Sequence, residues 1–274
     1  TRYVVGDPQV GYCQKRKIDE NINLITEIAR YLNHDAPDEG GLLLMLDNMK
    51  AFDRVQWPFM YAALAAFGFT DEFIAAVKVM YTDISTIIKT NGVRGEPFQV
   101  TSGIRQGCVL SGLLYVIVQE VQLRMIRRAA VAGVRIPGPD GDTGPGQTVE
   151  VKERALVDDT LVLLKEARDL PALLDVIRKF EHISNHRMQM GKSVLVLLGK
   201  YSGADHVRGT DEEEKLLRDA MAHCGIAAEK VYSLTGDVAV EVDKWHGVKL
   251  AGEAGLEAQW RRAAAAATEK AAAI

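Results

Sequence analysis

Apolar residues recur at helical spacing near the start of the chain, where Ile18, Ile22, Ile25, Ile28 and Leu32 share one face and predict an amphipathic helix over 19–32. A loop over 33–40 ends it. The pattern then becomes a continuous apolar run closed by an acid, Gly41-Leu42-Leu43-Leu44-Met45-Leu46-Asp47. Too short for a helix and bounded by glycine, this run predicts a buried strand that delivers Asp47 at its end. One helix is expected from Pro58 to Gly68, since proline suits a first turn, and another over 71–81 with Thr70 as its cap. Segments 85–90 and 97–101 flank Asn91-Gly92, a pair that favours the positive backbone angles of a hairpin turn. After a glycine-bearing loop over 103–107, the apolar series over 110–131 predicts a long helix closed by Gly133.

A Pro/Gly-rich loop is expected over 137–146. Two strand-like runs over 149–165 follow, with Asp158-Asp159 at the turn between them. A helix over 170–190, a strand over 194–198, a helix opened by the capping box Thr210…Glu213 and a strand pair around 238–250 complete the series. Strands interleaved with helices, and antiparallel pairs among them, predict an α+β fold.

The chain of 274 residues, 47% hydrophobic, suffices for one sizeable core and a smaller lobe. No run reaches the roughly 18 apolar residues of a membrane span, and the first residues lack signal-peptide order, so an intracellular protein with no membrane partner is expected. The compartment, nuclear or cytoplasmic, is left open. Cys13, Cys108 and Cys224 lie far apart without metal-ligand spacing, so reduced thiols are expected. A net charge of −4 argues against a broadly basic nucleic-acid-binding face. Two local clusters, Lys15-Arg16-Lys17 and Arg124, Arg127 and Arg128, run against that balance.

Asp47 at one strand end and Asp158-Asp159 in a hairpin turn are the candidates for chemistry. If those strands lie side by side, the three carboxylates could hold the two divalent cations, about 3.5–4 Å apart, that nucleotidyl transfer uses. Magnesium prefers such oxygen ligands. On spacing alone, an acidic turn is the blander alternative.

Further blocks change that balance: Gln9-Val10-Gly11-Tyr12, Asp19-Glu20-Asn21, Asp47-Asn48-Met49-Lys50-Ala51-Phe52-Asp53-Arg54-Val55, Gly103-Ile104-Arg105-Gln106-Gly107-Cys108-Val109-Leu110-Ser111, Ala155-Leu156-Val157-Asp158-Asp159-Thr160, Gly191-Lys192-Ser193 and Trp245-His246-Gly247-Val248. Over roughly residues 9–250 this ordered series resembles the reverse transcriptases of non-LTR (LINE-type) retrotransposons. The resemblance implies a right-hand polymerase palm, an antiparallel sheet with helices packed on one face, plus partial fingers and a truncated thumb. Its divisions would be a fingers-side segment at 1–40, the palm with fingers insertions at 41–250, and an alanine-rich helical tail at 251–274 that begins a thumb.

It implies RNA-directed DNA polymerisation with an RNA template, a DNA primer and deoxynucleoside triphosphates, and two Mg2+ ions, with Mn2+ as an alternative. Asp47 and Asp158 would bind both ions, Asp159 supporting them. Lys192 would stand near the leaving pyrophosphate as a general acid, and Lys50 would face the triphosphate. Phe52 would lie under the incoming sugar, Arg105, Gln106 and Gly107 against nucleotide and template, and Trp245, His246 and Gly247 would grip the primer. Asp53 is read instead as a structural hydrogen-bond partner. An endonuclease upstream and a thumb downstream are expected, fused in the parent protein or missing.

The chain departs from the family's pattern at Leu156 and Val157, where an aromatic residue and alanine are usual, at Val109 and Gly112, where prolines are usual, and at Gln189, where asparagine is usual. A polymerase fold that binds nucleic acid without turnover, or is defunct, is therefore the competing reading.

Overall fold

The computed structural model describes residues 4–138, 148–202, 211–226 and 231–233. The amphipathic start forms α1 (Ile18–Arg30) and runs into a π-helical turn over Tyr31–Asp35. The apolar run forms β1 (Gly40–Leu46), buried at every position. Helix α2 (Trp57–Ala66) starts around Pro58, and α3 (Asp71–Met80) is capped by Thr70, whose Oγ1 accepts from the Phe73 amide at 3.3 Å. The hairpin consists of two short ladders: β2 (Ser85–Thr86) pairs with β5 (Phe98–Gln99), and β3 (Lys89–Thr90) pairs with β4 (Val93–Arg94).

Helix α4 (Ser111–Arg128) stops before Gly133, correcting the expected closure. Ala129 turns extended, and the Gly133 amide donates to Glu150 Oε1 at 2.7 Å, just ahead of β6 (Val134–Pro137). Strand β6 pairs with β7 (Thr148–Val151), an element the pattern did not single out. Strands β8 (Glu153–Leu156) and β9 (Asp159–Leu164) flank the acidic turn as expected.

Helix α5 (Leu170–Ser184) is shorter than expected, because Asn185 adopts a left-handed conformation and ends it. Strand β10 (Val194–Gly199), α6 (Asp211–Cys224) and β11 (Val231–Ser233) follow. Thr210 of the capping box, the loop at 139–146 and the strand pair around 238–250 lie outside the described residues, except that Pro137 and Gly138 are described.

The main sheet has the order β11-β10-β1-β9-β8, antiparallel except for the β10–β11 pair. Because successive side chains alternate between faces, β1 contributes to two cores. Leu42, Leu44 and Leu46 pack with Leu173, Ile177 and Leu217 from α5 and α6. Leu43 and Met45 pack with Ile22, Ile25 and Ile28 from α1 and with Val134 and Val151 from the β6–β7 pair. Helices thus cover both faces, α1 adding to the one-sided cover that was expected.

A third core joins α2, α3 and α4 around Met60, Leu64, Ile74, Leu114 and Tyr115. Helix α4 is buried nearly all round, as its many apolar positions require. Among the described residues no helix is long and apolar enough to cross a membrane. Cys13 and Cys108 are free thiols.

Candidate active site

Strands β1 and β9 pair in antiparallel register from Leu42↔Leu164 to Leu46↔Thr160. One step further, Asp47 comes across from Asp159, and directly opposed residues of an antiparallel pair project to the same face. Asp158 sits in the turn immediately before. The Asp47 carboxyl is pushed above its ordinary range, chiefly by desolvation and further by the negative charge of Asp159, while the Lys192 ammonium pulls it back. Two carboxylates and one lysine therefore share a single electrostatic neighbourhood.

The strand ends are fixed by backbone bonds. The Asp47 amide donates to Ser193 Oγ at 3.2 Å, and the Gln189 amide donates to the Asp47 carbonyl at 2.7 Å. This second bond uses only backbone, so glutamine in place of the usual asparagine leaves it intact. Asn48 Nδ2 donates to the Asp158 carbonyl at 2.7 Å and ties the two acidic segments together. Lys192 is exposed, in a turn where its amide donates to the Gln189 carbonyl at 2.8 Å.

Past Asp47 the chain turns at Lys50, which has a φ of 49° and is exposed. Phe52 is half-buried and stacks on Tyr115 at 4.3 Å between ring centroids. Tyr115 is fully buried, and its hydroxyl is held far above the usual phenol range by desolvation and by the charges of Asp158 and Asp159. The two rings thus connect Phe52 to the acidic turn.

Asp53 takes part through its backbone: its carbonyl accepts from Ser102 Oγ at 3.3 Å, and its carboxylate is exposed. Gly103, at a φ of 95°, lies so close to this segment that an added Cβ would be 2.9 Å from the Asp53 carbonyl oxygen.

The Arg105 guanidinium donates to the Met80 carbonyl at 3.0 Å, at the end of α3, so this arginine is engaged with the loop's own support. Gln106 and Gly107 are exposed on the same loop. Gly112 lies beneath the ring of Tyr12, where an added Cβ would overlap the ring carbons. Of the basic clusters, Arg16 bonds inward to Val5, Gly6 and Gln9 carbonyls, and Arg124 and Arg127 pair with Glu120 and Glu153. Trp245, His246 and Gly247 lie outside the described residues.

Sequence reasoning did not assign roles to Gln9, Asn48, Tyr115 or Ser193. Gln9 was legible only as a motif letter, and nothing marked Tyr115 apart from a core aromatic. Among the described residues, no group of three His, Cys, Asp or Glu side chains is arranged to hold a metal ion.

An antiparallel sheet with acidic residues on adjoining strand ends, backed by helices, defines the class as an α+β, palm-like polymerase fold. The family described as reverse transcriptase (RNA-dependent DNA polymerase) matches residues 3–235, and the chain belongs to it. A Xenopus laevis protein, "Transposon TX1 uncharacterized 149 kDa protein", is 28% identical over 184 residues, covering 67% of this chain and 13% of that protein.

The family match makes the chain a reverse transcriptase domain. Two solved structures share the fold. Telomerase from Candida tropicalis in complex with a TWJ fragment of telomeric RNA has a TM-score of 0.50 at 13% identity, covering 69% of this chain and 30% of that one. Apo telomerase from the same organism, truncated from its C-terminal domain, has a TM-score of 0.50 at 14% identity, covering 72% and 37%. The chain therefore spans well under half of each relative's length.

Proposed function

We propose that this domain extends a DNA primer on an RNA template by adding deoxynucleoside triphosphates, with Asp47, Asp158 and Asp159 as its acidic centre. The observation that carries the proposal is the β1–β9 register, whose last pair, Leu46↔Thr160, leaves Asp47 and Asp159 as the next residues at adjoining strand ends, beside the turn that holds Asp158. The donor set fits magnesium. It is all oxygen, and repulsion between Asp47 and Asp159 is a cost that a bound cation would relieve. Magnesium usually needs only one or two protein carboxylates, with phosphates and waters completing its shell, so a preformed protein cage is not required.

Bound there, Mg2+ or Mn2+ would favour the ionised primer hydroxyl and screen charge on the departing pyrophosphate. Lys192, exposed beside Asp47, would donate a proton to the leaving group, and Lys50 would act as a point charge on the triphosphate. Phe52, propped by Tyr115, would form the platform under the sugar. Arg105, Gln106 and Gly107 would border nucleotide and template, and Trp245, His246 and Gly247 the primer backbone. Residues 1–40 would serve the fingers side, 41–250 the palm and 251–274 the start of a thumb. RNA would be held largely through backbone and shape, as befits a family of RNA-templated polymerases.

Leu156 favours a second reading. It occupies the place of an aromatic residue just before the turn, and a primer end seated less firmly reacts more slowly. Primer extension on an RNA template with magnesium decides between the two, comparing the chain with Asp158→Ala and Leu156→Tyr. Extension lost with Asp158→Ala supports a working polymerase. Failure of both the native chain and Leu156→Tyr to extend, with both folded by circular dichroism, leaves a binding-only domain.

A further inference from the structure

The acidic turn is strained. Leu156 pairs with Asp159, so Val157 and Asp158 form a two-residue hairpin loop. Val157 has a φ of 58°, and Asp158 is not among the residues of positive φ. Positive φ at the first central position alone is the pattern of a type II′ turn, which ordinarily takes glycine there. A β-branched residue at positive φ is a genuine outlier, retained only where its surroundings over-determine it.

Those surroundings are visible. Gln9 is fully buried, and its side-chain amide grips Val157 at both backbone ends. Its Nε2 donates to the Val157 carbonyl at 3.0 Å, while its Oε1 accepts from the Val157 amide at 2.8 Å. The same Oε1 accepts from the Gly11 amide at 2.8 Å. Gly11 makes room for the valine: an added Cβ would lie 2.5 Å from Val157 Cγ2 and 2.7 Å from its amide nitrogen.

The clamp is itself anchored. The Val10 amide donates to the Ala155 carbonyl at 3.0 Å, and the Ala155 amide donates to the Pro8 carbonyl at 2.9 Å. Asn21 Nδ2 bridges the Pro8 and Ala155 carbonyls at 3.3 and 3.2 Å, and Arg16 donates to the Gln9 carbonyl at 2.8 Å.

We propose that Gln9, with the space left by Gly11, is a positioning residue: it holds Val157 in its strained conformation and so sets where Asp158 and Asp159 stand relative to Asp47. The catalytic part of this inference rests on the polymerase reading above; the mechanical part does not. Gln9→Met keeps the side chain's bulk while deleting all three of its hydrogen bonds, and Val157→Gly removes the strain that the clamp opposes.

The first readout is amide hydrogen exchange of the peptide spanning 155–161, followed by mass spectrometry. Gln9→Met is expected to speed exchange there about tenfold or more while peptides from α5 and β10 keep their native rates. Adding Val157→Gly is expected to restore most of the protection. The second readout is primer extension, where mispositioned carboxylates lower kcat by about 10- to 100-fold with KM for the nucleotide little changed, and Val157→Gly again rescues.

Native exchange in Gln9→Met, or no rescue by Val157→Gly, overturns the clamp. If Gln9→Met exposes every peptide, the decision passes to Gly11→Ala, which leaves the Gln9 side chain in place and pushes a Cβ to 2.5 Å from Val157 Cγ2 and 2.7 Å from its amide nitrogen. Its 155–161 peptide alone should exchange faster, and native protection there overturns the clamp. If neither the native chain nor Leu156→Tyr extends primers, the polymerase reading fails while the exchange results still decide the clamp.

Discussion

Strand β1 and the β2–β5 hairpin are both made of paired backbone, yet they are opposites in support. All seven residues of β1 are buried between two antiparallel partners. The residues of β2, β3, β4 and β5 are all exposed, in two ladders of two pairs each. Ile88 and Val93, which a core would bury, face outward there. Asp47 follows directly on the element with least freedom and Asp159 opens the strand paired beside it, where a carboxylate can be held to the tolerance that catalysis requires. The hairpin has little but its own hydrogen bonds, so it is the part able to adjust to whatever lies against it.

The widest separation between the two regions should come from Asp47→Asn. If Asp47 holds a cation as proposed, losing it forfeits several kcal/mol of transition-state stabilisation, roughly a 100- to 10,000-fold loss in extension rate. The cation-free thermal midpoint should hold or rise slightly, because the desolvation of the Asp47 carboxylate, together with its repulsion with Asp159, outweighs the Lys192 attraction that is lost with them. A fall in both would mean that Asp47 supports the sheet more than the chemistry. Leu44→Ala, which opens a cavity between Val162 and Leu195, should lower unfolding free energy by about 2–5 kcal/mol in denaturant titration. Val93→Thr in the hairpin should stay within about 0.5 kcal/mol. Comparable losses at the two positions would break the contrast.

His186 offers a pH test of the region behind the site. It is 1% exposed beside Tyr115 and Phe180, and neither ring nitrogen has a hydrogen-bond partner among the described residues. Desolvation first, then the Arg54 charge, lower its pKa from 6.5 to about 4, against a small opposing effect of the Ser184 bond. Between those values the unfolded chain binds the extra proton, so stability is complete above 6.5 and falls as the pH drops toward 4. His186→Phe should remove as much as about 3 kcal/mol of this acid sensitivity, read from denaturant midpoints at pH 7 and pH 4.5. An unchanged slope would show that His186 is not the group responsible.

Among the changes expected to cost stability, the smallest effect belongs to Gly92→Ala. Nothing lies within 4 Å of the position, but its φ is +84°, so the cost is backbone strain of about 1–2 kcal/mol. It should appear as faster amide exchange confined to the hairpin, without a matching fall in the global midpoint.

Much of this division is legible in the order of residues along the chain. The continuous apolar run specifies β1, Thr70 and Pro58 mark helix starts, and Asn91-Gly92 marks the hairpin, because each signal depends on neighbouring residues alone. Local signals also fail in identifiable ways. The pattern carries α5 on to Met190 since no glycine or proline interrupts it, yet Asn185 takes the left-handed cap, and the segment after it pairs instead with the continuation of β1. There the Met49 amide donates to the Arg187 carbonyl at 2.8 Å. Strand β11, of only three residues, is recognisable only by its parallel partner β10.

The sequence by itself determined which residues could carry the chemistry and, through the ordered motif series, to which family the chain belongs, since residue type and order are properties of the chain. Only the tertiary structure decided which of them meet. It set Asp47 opposite Asp159, placed Tyr115 behind Phe52, turned Arg105 toward α3, and brought Gln9 to Val157 across a separation of 148 residues. Such contacts are chosen by strand register and by the packing of both sheet faces, and a buried amide finds its partner only after those distant segments have closed around it.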